Sequence, residues 1–187
     1  MGAAQEKRTD EIRIRLAERR DAAGIRAIYN HYVNESTAIF DLVPRTLDEQ
    51  VQWIDEHAGG HPAVVAASHE GTGTRGGSDQ VRFDERIVGF GSLSVFKPRP
   101  AYATSVEDSV YLVDTHQGRG IGRLILDELL RLAEAHGFHT VIARIVGDND
   151  ASIALHAACG FEIVGTEREV GRKLGRWLDV VEMQRML

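Results

Sequence analysis

Three closely spaced glycines lie in a turn that joins an apolar segment to a long amphipathic segment. Residues 110–113 read Val-Tyr-Leu-Val, and Gly118, Gly120 and Gly122 follow just before the amphipathic stretch. A strand that turns directly into a helix aims several backbone N–H groups and the positive end of the helix dipole at one point. The sequence therefore predicts a phosphate or pyrophosphate site at this turn.

Three glycine-loop motifs compete for this turn. A P-loop needs Lys followed by Ser or Thr after its last glycine, but Gly122 is followed by Arg-Leu. The dinucleotide fingerprint needs G-x-G-x-x-G and an acidic residue about 20 residues further on. Here the third glycine comes one residue early, and the later region reads Thr-Val-Ile-Ala-Arg. The pattern that remains is Q-x-x-G-x-G, formed by Gln117, Gly120 and Gly122.

A second motif lies at 148–161, where Asn149 and Ser152 open a segment that closes with Gly-Phe. Asn149 or Asp150 can cap a helix here, and Gly160 can end it in the left-handed conformation. Together the two motifs resemble the signatures of the GNAT superfamily of acetyl-CoA-dependent N-acyltransferases. The resemblance implies an α/β (α+β) GNAT fold, with a mixed, mostly antiparallel central sheet flanked by helices, and acetyl-CoA (coenzyme A) as cofactor.

Hydrophobic patterning predicts the elements that position these motifs. We expect residues 1–10 to be flexible, residues 11–187 to form a single domain, and the polar segment 71–79 to be a hairpin tip. Predicted strands are centred on Ile12, Ile14 and Leu16, and cover 63–67, 86–95, 106–113, 140–146, 162–169 and 177–184. Predicted helices follow a cap at Asp21, follow a capping box of Thr46 and Glu49, and cover 120–136 with Gly137 as C-cap.

Composition narrows the class of protein. The chain has 187 residues, 43% hydrophobic and 27% charged, which is typical of a globular domain. A net charge of −6 argues against nucleic-acid binding. No run suits a membrane span or a signal peptide, so we expect a cytoplasmic protein with no membrane partner. Cys159 stands alone and is expected to be a small buried hydrophobe, and no metal site is predicted.

Further segments narrow the resemblance to one GNAT branch, and together they cover nearly the whole chain outside the N-terminus and residues 71–85. They are similar to the phosphinothricin and methionine sulfoximine N-acetyltransferases, and they lie at 29–33, 36–41, 96–102, 104–111 and 170–179. Members acetylate the α-amino group of small amino-acid analogues that carry a tetrahedral sulfur or phosphorus group, and they commonly form homodimers. The resemblance implies that activity, a small amino-acid-like amine as partner and a homodimer with Trp177 at its contact.

Acylation of an amine requires a base, because an α-ammonium of pKa about 8 is mostly charged and non-nucleophilic at neutral pH. The resemblance implies that Glu107 is this general base; the alternative is an ordinary surface glutamate. Its neighbour Asp108 should point to the opposite face of a regular strand, which makes it the lesser candidate.

His156 is the second catalytic candidate. It occupies the point in the last helix where many GNAT enzymes carry a tyrosine near the sulfur. An imidazole there can give a proton to the departing thiolate or help to take one from the amine. The alternative is a structural histidine packed beside Phe161.

The predicted cofactor residues follow from the turn and the resemblance. Backbone N–H groups of 119–124 should bind the pyrophosphate, and the side chains of Arg119 and Arg123 could add charge-assisted bonds. The backbone of 111–113 should pair with the pantetheine arm as an added strand. Asn149 either contacts the same arm or only caps its helix. The full set is Tyr111, Leu112, Val113, Gln117, Gly118, Arg119, Gly120, Ile121, Gly122, Arg123, Leu124 and Asn149.

A substrate with a carboxylate and an oxygen-rich tetrahedral group needs cationic or N–H donors. Lys97, Arg99 and Lys173 could supply them, with Phe40 and Tyr102 as walls. Ser109 and Val110 complete the predicted substrate set. The Pro-Arg-Pro loop at 98–100 is either a preorganised recognition element or a rigid surface turn.

Two other functions stay open on the sequence. One is a GNAT enzyme for protein N-termini, polyamines or aminoglycosides, although a polycation would favour an acidic, open cleft, which the aromatic-lined loop fits poorly. The other is a non-catalytic acyl-CoA-binding module, which the loss of Glu107 and His156 would have supported; both residues are present.

Overall fold

The computed structural model describes residues 11–69 and 85–187. These residues form seven strands and four helices: β1 Glu11–Leu16, α1 Ala22–Glu35, α2 Leu47–Glu56, β2 Ala63–His69, β3 Glu85–Val95, β4 Ser105–Leu112, α3 Ile121–Ala135, β5 Thr140–Val146, α4 Asp150–Ala158, β6 Glu162–Lys173 and β7 Arg176–Met186. The expectations for 1–10 and for the hairpin tip at 71–79 lie outside the described residues. No helix in the described ranges is long and apolar enough to cross a membrane.

The strands make one sheet in the order β1-β2-β3-β4-β5-β7-β6. Every neighbouring pair is antiparallel except β4 and β5, which run parallel. The prediction of a mixed, mostly antiparallel sheet is confirmed. Helices cover both faces and bury two apolar clusters. The larger contains Ile125, Leu126 and Leu129 of α3, and the smaller contains Ile25 and Ile28 of α1.

The starts of the first two helices differ. Thr46 caps α2 as predicted: its Oγ1 accepts from the N–H of Glu49, and its own N–H donates to the Glu49 carboxylate over 2.7 Å. Asp21 stands at the N-cap of α1, but its carboxylate accepts from the N–H of Glu18 and from the guanidinium of Arg15. The expectation that the Asp21 side chain caps α1 is therefore wrong, because a buried ion pair takes the carboxylate instead.

Strand boundaries show two further differences from the sequence-based expectation. Leu16, expected in a half-buried strand, is 54% exposed, because β1 is an edge strand that ends there. The predicted strand 162–169 continues to Lys173, although Glu169 adopts a φ of 50° and the register with β7 shifts between Glu167 and Gly171. An irregularity of this kind bends a strand without ending it.

Candidate active site

The centre of the sheet opens between the two parallel strands. β4 and β5 pair from Ser105↔Thr140 to Asp108↔Ala143 and then stop pairing, although β4 continues to Leu112 and β5 to Val146. Two strands that separate in this way leave backbone groups along the facing edges, which an extended ligand can use. The sheet therefore provides a cleft with strand edges as its walls.

A cavity of about 350 Å³ fills this opening. Its lining comes from both separating strands, from the glycine-rich turn and from α4. The lining includes Tyr32, Ala38, Asp108, Ser109, Val110, Tyr111, Leu112, Gln117, Gly118, Gly120, Gly122, Arg123, Ala143, Arg144, Ile145, Val146, Asn149, Ser152, Leu155 and His156.

The glycine-rich turn exposes the N-terminus of α3 to the cavity. Gly118 and Gly120 have φ of 70° and 80°, a left-handed conformation that a side chain disfavours. Gly120 is the N-cap, and among the described residues no side chain caps this helix. The first N–H groups and the positive end of the dipole are therefore free to bind an anion, which fits a pyrophosphate.

Most of the predicted cofactor residues line the cavity, and four lie elsewhere. Val113 donates its N–H to the carbonyl of Val88 over 2.9 Å, and Ile121 is buried in the larger core. Leu124 is 48% exposed, and Arg119 is also absent from the lining. The N–H groups of Val113 and Leu124 are already donated, that of Leu124 to the Gly120 carbonyl over 3.2 Å, so a ligand would have to compete for them, whereas Ile121 can contribute only through its backbone.

Asn149 has one of the two roles that the sequence left open, the helix cap. Its Oδ1 accepts from the N–H of Ser152 over 3.1 Å and so caps α4, and the residue also lines the cavity. Gly160 ends the helix region with a φ of 85°, as predicted. Cys159 is buried, as expected, with its Sγ 3.7 Å from a carboxylate oxygen of Asp127.

Glu107 lies on the face of β4 opposite to Asp108, one residue before the point where the strands separate. Burial raises the pKa of Glu107; Arg144 opposes this shift, and the carboxylates of Asp108, Glu182 and Glu167 reinforce it. A carboxylate with a raised pKa is a stronger base than an exposed one.

His156 is held at both ring nitrogens. Nδ1 lies 2.7 Å from the Ser152 carbonyl oxygen, and Nε2 lies 3.0 Å from Oδ2 of Asp108. The edge of the ring packs on Phe161 with centroids 5.0 Å apart, so the predicted packing contact is also present. Sequence reasoning ranked Asp108 as the lesser candidate because it points to the face opposite Glu107, and it gave no signal that this face brings Asp108 to His156, 48 positions further along the chain.

Comparison with known proteins decides the family. A model of the acetyltransferase (GNAT) domain matches residues 78–181. Phosphinothricin N-acetyltransferase of Streptomyces coelicolor is 36% identical over 96% of this chain and 98% of its own length. The chain belongs to the GNAT acetyltransferase family.

Two further relatives of this GNAT acetyltransferase support the same family. The L-methionine sulfoximine/L-methionine sulfone acetyltransferase of Pseudomonas aeruginosa is 38% identical over 91% of this chain and 92% of its own. The crystal structure of a phosphinothricin acetyltransferase from Sinorhizobium meliloti in complex with AcCoA superposes with a TM-score of 0.82 at 35% identity, covering 94% of this chain and 88% of that one. The predicted family, enzyme class and acetyl-CoA cofactor are confirmed.

The predicted substrate residues of the acetyltransferase fall into three groups. Ser109 and Val110 line the cavity. Lys97, Arg99 and Tyr102 belong to the loop before β4, outside the cavity lining. In that loop the Lys97 ammonium lies 5.2 Å from the centroid of the Tyr102 ring.

Phe40 and Lys173 both lie where β6 packs against the segment after α1, outside the cavity lining. A Cβ on Gly171 would overlap the Phe40 ring, so this residue of β6 packs directly on it. Lys173 is 5% exposed, and its ammonium donates to the carbonyl of Ile39 over 2.6 Å and to that of Tyr32 over 3.3 Å. Burial lowers the pKa of Lys173. The structure therefore gives Lys173 a role in holding β6 against α1 and the following loop, which corrects the expectation of a free anion-binding side chain.

Tyr32 is a cavity residue that sequence reasoning assigned only to the apolar face of a helix. Its hydroxyl donates to the Leu112 carbonyl over 2.8 Å and accepts from Nε2 of Gln117 over 3.2 Å. It thereby ties α1 to the end of β4 and to the glycine-rich turn. Its place on a buried helix face gave no signal of this contact.

Proposed function

We propose that this GNAT acetyltransferase transfers the acetyl group of acetyl-CoA to the α-amino group of small amino-acid analogues such as phosphinothricin, methionine sulfoximine or methionine sulfone. The observation that carries the proposal is the cleft between β4 and β5, which is lined both by the turn at the uncapped N-terminus of α3 and by the buried pair of His156 and Asp108. Relatives named for these three substrates match over more than nine-tenths of the chain.

Acetyl-CoA supplies a thioester-activated acetyl group when it is bound. The backbone N–H groups from Arg119 to Arg123, in the glycine-rich turn and the first turn of α3, would hold its pyrophosphate, whereas that of Leu124 already donates to the Gly120 carbonyl. Arg123 lines the cavity and would add a charge-assisted bond, although in the structure it also faces Asp127 over 3.5 Å. The facing edges of β4 and β5 would hold the pantetheine arm by strand-like hydrogen bonds.

Glu107 is proposed as the general base, acting directly or through water. Its carboxylate would accept the proton that an α-ammonium must lose before the nitrogen can attack. Its raised pKa makes the carboxylate a stronger base. The positive charge of Arg144 limits this rise and so favours the ionised form that can accept a proton. Glu107 is not one of the residues that line the cavity, but it lies one position before Asp108, the last residue of β4 that pairs with β5, and this place beside the opening supports the role.

His156 is proposed as the source of the proton that the departing thiolate must gain to become the free thiol. It reaches the cavity from α4, on the opposite face of the sheet from Glu107. The two faces thus separate the group that takes a proton from the group that gives one, and the bound thioester would lie between them. Such a separation prevents the acid and the base from neutralising each other.

Recognition of the amino-acid analogue is proposed for the loop that carries Lys97, Arg99 and Tyr102, with Phe40 as an apolar wall. Arg99 precedes the short helical turn Pro100–Tyr102, so prolines restrict the backbone on both of its sides. Ser109 and Val110 line the cavity itself, and Lys173 would act by positioning the wall.

A homodimer is proposed through the free edge of the sheet. β6 is the last strand, and nearly all of its residues are exposed. Exposed apolar side chains lie on this strand, at Ile163, Val164 and Val170, and on the neighbouring strand β7, where Trp177 is 61% exposed. An exposed apolar edge strand of this length favours association with another chain. Sedimentation should give a dimer that Trp177→Glu converts to monomer, while Leu16→Glu at the opposite edge leaves it intact.

The function is tested by thiol release from acetyl-CoA with purified protein. The amines are L-phosphinothricin, L-methionine sulfoximine, L-methionine sulfone, spermine and peptides with free N-termini, with a blank that lacks amine. Saturable turnover confined to the first three supports the proposal. Turnover of peptides or spermine alone would overturn the substrate assignment. No thiol release with any of the amines would favour a non-catalytic acyl-CoA-binding module.

A further inference from the structure

The contacts of His156 fix how many protons the ring and the Asp108 carboxyl hold between them. A carbonyl oxygen only accepts hydrogen bonds, so the nitrogen 2.7 Å from the Ser152 carbonyl must carry a hydrogen. The other nitrogen faces a carboxylate oxygen of Asp108 over 3.0 Å. Without a hydrogen between them, two acceptors would face each other inside the protein. One proton must therefore be shared between Nε2 of His156 and Oδ2 of Asp108, in addition to the proton on Nδ1.

Burial makes the two groups depend on each other. The side chains of His156 and Asp108 are 4% and 1% exposed. An isolated charge at such a site is costly, whereas a hydrogen-bonded pair is tolerated. Oδ1 of Asp108 is buried and has no hydrogen-bond partner among the described residues, although both residues line the cavity. One of the two carboxylate oxygens of Asp108 thus lacks a hydrogen-bond partner among these residues, at the wall where the acyl donor would bind.

We infer that Asp108 is the positioning residue for His156, which it holds doubly protonated and in one orientation at the wall of the cleft. This inference rests on the proposed role of His156 as the acid. A neutral imidazole with its hydrogen on Nδ1 has no proton to give from Nε2. The ring must therefore start as the cation, and the Asp108 carboxylate is what keeps it so.

Other groups around the ring do not replace this partner. Phe161 covers it by an edge contact. From β5 the cavity is lined by Ala143, Ile145 and Arg144, and the Arg144 guanidinium pairs with Glu167. From α3, Asp127 faces Cys159 and Arg123. The carboxylate that bonds the ring within the described residues is that of Asp108.

The decisive measurement is the protonation of the His156 ring by nitrogen-15 NMR on the intact protein without substrate, with His156→Gln used to assign its signals. In the wild type both ring nitrogens should stay protonated at pH values where an ordinary histidine, of pKa about 6.5, is neutral. In Asp108→Asn, whose amide can donate to Nε2, the ring should be neutral at the same pH with its hydrogen on Nδ1. The matched control, Asp55→Asn, makes the same change at an exposed aspartate paired with Arg19, and should leave the His156 signals unchanged.

An unchanged His156 titration in Asp108→Asn would overturn the inference. Asp108→Ser provides a second, smaller replacement if the asparagine variant does not fold. Because these spectra need no turnover, they remain decisive even if the enzyme proves to use a different amine.

Kinetics then distinguish positioning from a purely structural contact. In Asp108→Asn we expect kcat to fall by about 10²-fold, the lower end of what acid–base groups supply, with KM for acetyl-CoA within twofold of wild type. The loss should grow as pH rises, because the variant ring loses its second proton earlier. A lowered melting temperature with unchanged kcat and pH profile would show a structural contact only and would also overturn the inference.

Discussion

The two faces of strand β4 have different surroundings. On one face Val106, Val110 and Leu112 pack into the larger core, and Asp108 is buried with His156. On the other face Glu107 lies beside the charge of Arg144, and Tyr111 packs into the smaller core while it also lines the cleft. Because side chains alternate along a strand, the two acidic residues Glu107 and Asp108 are presented to opposite sides of the sheet. Asp108 thus places an ionisable group on the face that packs into the larger core (the packed face).

The largest expected effect comes from Glu107→Gln, which removes the base but keeps the shape. We expect kcat to fall by about 10²–10⁴-fold, the range that general acid–base catalysis supplies. In the wild type the rate should also fall as pH drops through the raised pKa of Glu107, because a protonated carboxyl accepts no proton. Thiol-release assays across pH check both effects.

The matched control for this variant is Glu134→Gln, at an exposed position on α3. It should leave the rate unchanged. A kcat of Glu107→Gln within threefold of wild type would contradict the assignment of the general base to this face of β4.

On the packed face, Val106→Ala tests stability. Val106 is fully buried, and loss of its two methyl groups should cost about 2 kcal/mol of unfolding free energy while kcat stays near wild type. Its register partner on β3, Val95, is 60% exposed, so Val95→Ala should change the unfolding free energy by less than about 0.5 kcal/mol. Denaturant titration of both variants gives the comparison. Equal losses of unfolding free energy in the two variants would contradict the difference in burial between Val106 and Val95.

At the end of β4 the expected effect is smaller. Tyr32→Phe removes the hydroxyl that bonds the Leu112 carbonyl and Gln117, at a cost of about 1 kcal/mol. KM for acetyl-CoA should rise about fivefold if this contact shapes the cleft. Tyr29→Phe, which loses a bond to Asp41 outside the cavity lining, should leave KM unchanged. A similar KM shift in both variants would point to general destabilisation.

The smallest expected effect is a pH dependence of stability. Burial alone lowers the pKa of His156, but the Asp108 carboxylate and the Ser152 carbonyl outweigh it, so the pKa is raised. A raised folded pKa means that the pair stabilises the fold fully below the unfolded value of about 6.5, and that this stabilisation is lost as pH rises through the folded pKa.

The difference in unfolding free energy between wild type and Asp108→Asn should therefore shrink as pH increases. Denaturant titrations at several pH values measure it. A difference that grows with pH would contradict the assignment of the shared proton.

Local features of the chain were predictable because short-range physics decides them. The left-handed glycines, the capping box at Thr46 and the cap at Asn149 each depend on residues within a few positions. The opposite orientation of Glu107 and Asp108 followed from the alternation of a strand. Helix and strand positions followed from the spacing of apolar residues, although the end of β6 did not.

The sequence by itself thus determined the family, the order of elements and the glycine-rich turn at the start of α3. Only the tertiary structure decided that Asp108 meets His156, that Lys173 donates to the carbonyls of Tyr32 and Ile39, and that Asp21 turns to Arg15. The reason is physical: a buried polar group takes whichever partner the packing of distant elements brings within reach, and the spacing of residues along one element carries no record of that partner.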